Sequence, residues 1–195
     1  MSPPKLFFVS IPRTGTRSIY QAFQGLVDET HNHLPARTIR DRVGEKTWRE
    51  GLSFSIIRNP FDRLVSFYHF CRGANIAPHI YQHLSFEAWV THGCPTHWLS
   101  EPESTGSTTS RPLHMHEFLM DVQGTCIVDK ILRFEILAND LKAFCELAGT
   151  DMPALPHINR STRRPGYRSY YTEPKMILRV EELFGDELLK ANYEF

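Results

Sequence analysis

Two stretches of the chain share one pattern: a short apolar run, a polar turn, then apolar positions at helical spacing. The first run is Leu6 to Ile11, broken by Pro12 and Gly15. Its β-prone composition suits a buried strand better than a short helix. From Ser18 the period changes, and Ile19, Ala22, Phe23 and Leu26 fall on one helical face. The second run is Leu52, Phe54, Ile56 and Ile57. Asn59 and Pro60 follow as N-cap and first-turn residue, with Asp62 complementing the dipole of a largely apolar helix that carries Leu64, Val65, Phe67 and Tyr68. Each stretch reads strand, tight loop, helix.

The remaining pattern is plainer. Ala36 to Glu50 is mostly charged around Ile39, Val43 and Trp48, which predicts one surface helix ended by Gly51. Ser85 to Val90 predicts a short capped helix, and Cys126–Val128 and Ile131–Phe134 short strands. Glu135 opens a helix bearing Leu141, Phe144, Leu147 and Ala148, closed by Gly149. Thr172 caps a last helix with Ile177, Val180 and Phe184 inward, stopped by Gly185. A Ser/Thr/Gly/Pro-rich segment predicts a mobile loop over residues 96–112. With no repeat and no second domain evident, the expectation is one domain over residues 1–195.

Composition narrows the class. Lys plus Arg and Asp plus Glu are both 22, so the formal net charge is zero. A globally basic nucleic-acid binder is excluded, and any anion site must be local. No apolar run approaches membrane-spanning length, and the N-terminal run is too short for a secretory signal. Cys71, Cys94, Cys126 and Cys145 are scattered without C-x-x-C spacing, as expected of reduced thiols in a cytoplasmic protein.

The first loop holds Arg13, Thr14, Gly15, Thr16, Arg17 and Ser18. A glycine allows close backbone approach, hydroxyls can donate to anionic oxygens, and arginine forks match phosphate or sulfate. On the loop alone, an ordinary turn with surface arginines has equal weight. The Walker pattern is not met: Ser10 stands at its first glycine and Thr16 at its lysine. Arg58 ends the second strand, where open α/β sheets bind ligands and a charge needs a partner. His31 and His33 form an H-x-H pair, as do His114 and His116. Either histidine of the first pair serves as acid/base, metal ligand or surface residue; with no third ligand at usual spacing, no metal site is expected.

The two strand–loop–helix motifs resemble the PAPS-dependent sulfotransferase family, in particular its carbohydrate-sulfotransferase branch with small bacterial members. The family's P-K-T-G-[TG]-[TS]-S loop, which holds the 5′-phosphosulfate, reads Pro12-Arg13-Thr14-Gly15-Thr16-Arg17-Ser18 here. Its R-N-P-x-x-R-x-x-S-x-Y motif, which holds the 3′-phosphate, is matched at every fixed position from Arg58 to Tyr68. Arg133-Phe134-Glu135 is similar to its strand-ending R-[FY]-E, although Ile136 departs from the acid that usually follows. Asn159, Ser161 and the run from Tyr167 fit its late basic loop, where Arg163 and Arg164 are candidate phosphate ligands and spacing does not separate them from Arg160.

The resemblance implies an α/β fold: a single-domain, P-loop-like, three-layer architecture with a central parallel β-sheet flanked by helices. It implies transfer of a sulfuryl group from PAPS to a small-molecule or saccharide hydroxyl, with PAP as product, no metal required, and neither nucleic acid nor membrane as partner. It places Arg13 to Ser18 on the phosphosulfate, Arg58 and Ser66 on the 3′-phosphate, and a histidine base at His33 first, His31 second. Two departures stand out: Arg13 replaces the family's lysine, and Arg17 a hydroxyl residue. The alternatives are a non-catalytic PAPS- or PAP-binding module and a P-loop-type phosphotransferase, the latter disfavoured by the missing Walker lysine.

Overall fold

The chain folds, in order, as β1 (Leu6–Val9), α1 (Thr16–Ala22), α2 (Ala36–Val43), α3 (Glu45–Glu50), β2 (Leu52–Ile57), α4 (Pro60–Gly73), α5 (Pro78–Tyr81), α6 (Phe86–Thr91), α7 (His116–Leu119), β3 (Lys130–Arg133), α8 (Leu137–Ala148) and α9 (Pro174–Ala191). The structure, a computed structural model, describes residues 4–96, 114–154 and 166–195. Two compact units form: Met1–Arg58 with Met115–Arg160, and Asn59–His114 with Ser161–Phe195.

The first unit is an α/β layer structure built on a parallel sheet of order β1-β2-β3. Leu6 pairs with Leu52 across β1 and β2, and Ile57 with Arg133 across β2 and β3. Strand alternation sends Leu6, Phe8, Phe54 and Ile56 into a core completed by Ile19, Tyr20, Phe23, Leu141, Phe144, Cys145 and Ala148. The Phe54 ring lies 4.9 Å from Phe8 and 4.4 Å from Phe144. On the opposite face Phe7 stacks on Trp48 of α3 at 5.2 Å. Helices therefore cover both faces of the sheet, which is why its central strand is buried on both sides. Because the strands are parallel, the residues following them, Ser10, Arg58 and Phe134, emerge at one edge of the sheet.

The second unit is helical. Asn59 Oδ1 accepts the Phe61 N–H at 2.9 Å, capping α4, and Pro60 opens the helix. Ser85 caps α6 by accepting from the Ala88 N–H at 3.1 Å. Apolar stripes bury Leu64, Val65, Phe67 and Tyr68 of α4 and Met176, Val180, Phe184 and Leu188 of α9.

Several boundaries differ from the pattern's expectation. α1 stops at Ala22, and Leu26 is 49% exposed. The expected single helix over Ala36–Glu50 is two, broken by Gly44 at φ 87°, a left-handed conformation that glycine adopts without strain. Cys126 forms only an isolated antiparallel bridge with Met120 rather than a strand. Leu147 is exposed on α8. α9 begins one turn-residue later than expected, after Glu173, and runs through Gly185 to Ala191, where Asn192 caps it at φ 53°. No cysteine is in a disulfide. Among the described residues no helix is long and apolar enough to cross a membrane. Residues 97–112 of the expected mobile loop lie outside the described residues.

Candidate active site

β1 hands the chain to a turn that two unusual backbone conformations make possible. Gly15 takes φ 90° and Arg13 φ 70°. Glycine adopts such a value freely, but for arginine it costs about 1 kcal/mol or more, a strain that tends to persist at functional sites. Thr14 Oγ1 donates to the Ile11 carbonyl at 2.8 Å and Thr16 Oγ1 to the same carbonyl at 3.2 Å. Each hydroxyl has one proton, so both are engaged in holding the turn. The expected donation from these two side chains to an anion is therefore not what the structure provides; their backbone N–H groups remain the loop's contribution at those positions. Arg13 and Ser18 are half-buried, while Arg17 is exposed and its charge solvated.

Arg58 follows β2 and is only 8% exposed. Its Nη1 donates to the Arg13 carbonyl at 2.9 Å, and its guanidinium lies 4.3 Å above the Phe134 ring. The carbonyl reached is that of the left-handed residue, so Arg58 braces the strained turn. Phe134 also abuts Gly15: a Cβ there would sit 3.3 Å from its ring. Thus an aromatic from the end of β3 sits against both the loop glycine and the buried cation. Arginine suits this place because its planar cation stacks on a ring while its edge still donates.

The H-x-H segment is not extended, and its two rings do different things. His31 closes a 3-10 turn (Glu29–His31) capped by Asp28, which accepts from the Thr30 N–H at 2.9 Å. It is 7% exposed, its Nε2 lies 3.8 Å from Asp28 Oδ2, and burial lowers its pKa. His33 sits at φ 57° beside the end of β1. Its backbone N–H donates to Ser10 Oγ at 2.7 Å, and its Nδ1 lies 3.1 Å from the Ser10 carbonyl. Burial lowers the His33 pKa most; the Ser10 carbonyl works the other way, and the Arg13 charge adds to the lowering. At neutral pH the ring is therefore uncharged. Tyr20 donates to Ser10 Oγ at 3.3 Å, and burial raises its pKa so that it keeps the proton.

The structure thus brings Arg13, Gly15, Thr14, Thr16, Ser18, His33 and Arg58 together in one unit, with His31 turned into a packed corner. Ser66 is 4% exposed within α4, and Arg63 of the same helix 1%; both belong to the helical unit. Arg163 and Arg164 lie outside the described residues. In the helical unit His114 Nδ1 lies 3.6 Å from Glu187 Oε1, with its ring against Phe184. The sequence marks Phe134 within Arg133-Phe134-Glu135 but gives no site role to it, to Ser10 or to Tyr20. The available signal was positional: Ser10 and Phe134 each follow directly on a strand that ends at the same edge of a parallel sheet.

No curated protein matches the chain. A family model described as the sulfotransferase family matches residues 4–190.

Proposed function

The chain belongs to the sulfotransferase family, and we propose that it transfers a sulfuryl group from PAPS to a hydroxyl of a small-molecule or saccharide acceptor. The observation that carries this reading is the pairing of a cationic turn with a histidine of fixed tautomer. Arg13 stands in the strained turn after β1, and His33 is held to that same strand end through Ser10. A carbonyl can only accept, so the 3.1 Å contact requires the proton on Nδ1 of His33. The basic lone pair of the neutral ring is then on Nε2.

The donor set fits an anionic nucleotide. The turn supplies backbone N–H groups and Arg13, and Arg58 adds a buried guanidinium braced by the Arg13 carbonyl and Phe134. When bound, PAPS supplies the sulfuryl group, and the broken sulfur–oxygen bond leaves its electrons on the phosphate oxygen of PAP. Arg13 stabilises the charge on that oxygen; being permanently protonated, it acts through its field rather than as a proton donor. His33 takes the acceptor's hydroxyl proton at Nε2 as the new oxygen–sulfur bond forms, and its pKa, lowered by burial, keeps it ready to do so near neutral pH. The Thr14 and Thr16 hydroxyls hold the turn in shape for both tasks. Within the α/β unit Arg58 is assigned to the 3′-phosphate, and His31 to support of the segment that carries His33. A reducing, cytoplasmic setting suits four cysteines with no disulfide.

One feature favours a second reading, a module that binds PAPS or PAP without transfer: the family's lysine is Arg13 here. The test is calorimetric titration with adenosine 3′,5′-bisphosphate and with AMP, followed by a transfer assay from PAPS to a panel of sugars and small alcohols. Preference for the bisphosphate together with sulfated product supports the enzyme. Preference without product supports the binding module, and equal or absent binding refutes both.

A further inference from the structure

We propose that Ser10 is a positioning residue for His33: its hydroxyl fixes the histidine's backbone so that its own carbonyl sets the ring's tautomer and leaves Nε2 as the base. The inference rests on the reading of His33 as the proton acceptor.

Ser10 is fully buried, and its hydroxyl has all three of its hydrogen bonds assigned. The oxygen accepts from the His33 N–H at 2.7 Å and from the Tyr20 hydroxyl at 3.3 Å. Its proton goes to Asn32 Oδ1 at 3.4 Å. A hydroxyl offers one donor and two acceptor sites, so this set is saturated. His33 Nδ1 also lies 3.5 Å from Ser10 Oγ, but the nearer carbonyl at 3.1 Å is the better acceptor. Two successive groups of one residue therefore grip two groups of another across 23 positions of sequence.

The backbone grip matters because His33 stands at φ 57°, a conformation that non-glycine residues avoid at a cost of about 1 kcal/mol or more. The 2.7 Å bond to Ser10 Oγ offsets part of that cost, and without it the segment is expected to relax toward negative φ. That relaxation carries the ring off the Ser10 carbonyl. Once the ring is protonated, the same Nδ1–H bond becomes charge-assisted and steadies the imidazolium, so the contact serves both before and after proton transfer. The choice of residue is also informative. Position 10 is where a Walker-type loop places a glycine. Glycine would supply the carbonyl but not the hydroxyl.

The experiment is nitrogen-15 NMR of the histidine side chains in the unliganded full chain, with His33 assigned by its absence in His33→Ala. The expected wild-type signal is an Nδ1-protonated ring. Ser10→Ala is expected to lose that single tautomer, to lower kcat about tenfold or more, to shift the acid limb of the kcat–pH profile, and to leave the Kd for adenosine 3′,5′-bisphosphate within about twofold. Ser10→Thr, which restores the hydroxyl, is expected to restore the Nδ1-protonated signal. An Nε2-protonated ring in the wild type overturns the proposal without any variant, and so does a Ser10→Ala protein that keeps both the wild-type tautomer and kcat. If His33→Ala turns over at the wild-type rate, the base assignment fails on its own while the tautomer measurement still reads the Ser10 contact.

Discussion

Arg58 is buried at the end of a strand, and what surrounds it determines how it should respond to change. A guanidinium with one edge on the Arg13 carbonyl and its plane on Phe134 is a rigid cation. Arg58→Ala is expected to weaken binding of adenosine 3′,5′-bisphosphate by about ten- to a hundredfold, the worth of a charge-assisted hydrogen bond. Arg58→Lys keeps the charge but loses the stacking plane, so calorimetry should place it between the two. A Lys variant with wild-type affinity would show that charge alone is recognised. Arg13 differs: it is half-buried in the turn and its carbonyl, not its side chain, braces Arg58. Arg13→Lys should therefore keep bisphosphate affinity within a few-fold and retain or raise turnover, since lysine supplies the same charge and also a transferable proton. Loss of turnover with intact binding would assign the arginine fork a role of its own. At this scale the residue types in the loop were legible in the sequence, but their duties were only half so. Thr14 and Thr16 look like anion donors until the Ile11 carbonyl is seen to take both protons. Which histidine faces the loop was equally hidden, because alternation places His31 and His33 alike only in an extended segment, and this segment is a capped 3-10 turn followed by a left-handed residue.

Elements were legible where one local signal dominated. Leu52–Ile57 and the Asn59–Pro60 start of α4 match their expected places because an apolar run and a cap each act over a few residues. Boundaries set by backbone conformation were not. Gly44 divides Ala36–Glu50 by turning left-handed, whereas Gly185 continues α9 because the surrounding stripe of Val180, Phe184 and Leu188 is buried. The same residue type thus ends one helix and is absorbed by another, according to what packs around it. Gly15, left-handed at the start of α1, is also a boundary set by backbone conformation, and it carries the third prediction. At φ 90° an alanine is strained, and its Cβ would meet Phe134 at 3.3 Å. Gly15→Ala should cost about 1–2 kcal/mol in urea unfolding. It should also weaken bisphosphate binding, because the ring it displaces is the one beneath Arg58. A variant with wild-type stability and binding would mean that Phe134 yields without moving Arg58.

For the whole molecule the balance of charge sets the response to acid. Equal numbers of acidic and basic groups, 22 each, make the formal net charge zero at neutrality, and the chain carries ten histidines. Two of these are withdrawn from water in the α/β unit: burial is the largest influence on both His31 and His33, and it lowers both pKa values from the ordinary 6.5. Between the lowered folded values and 6.5 the unfolded chain binds more protons than the folded one. Stability from these two sites is therefore complete above about pH 6.5 and falls as the pH drops through the folded values. Net positive charge gained as the pH falls acts in the same direction through self-repulsion. Urea midpoints measured from pH 7.5 to 5 should fall with pH at low salt. Replacing His31 and His33 together by glutamine should lower the midpoint at pH 7.5 yet flatten its decline, because glutamine does not titrate. The two causes separate by salt: repulsion among exposed charges is screened at about 0.5 M ionic strength, while the proton uptake of the buried pair is not. A decline that vanishes in salt would place the acid response on the surface. A decline that persists in salt and flattens in the double glutamine variant would place it on the segment that holds the proposed base.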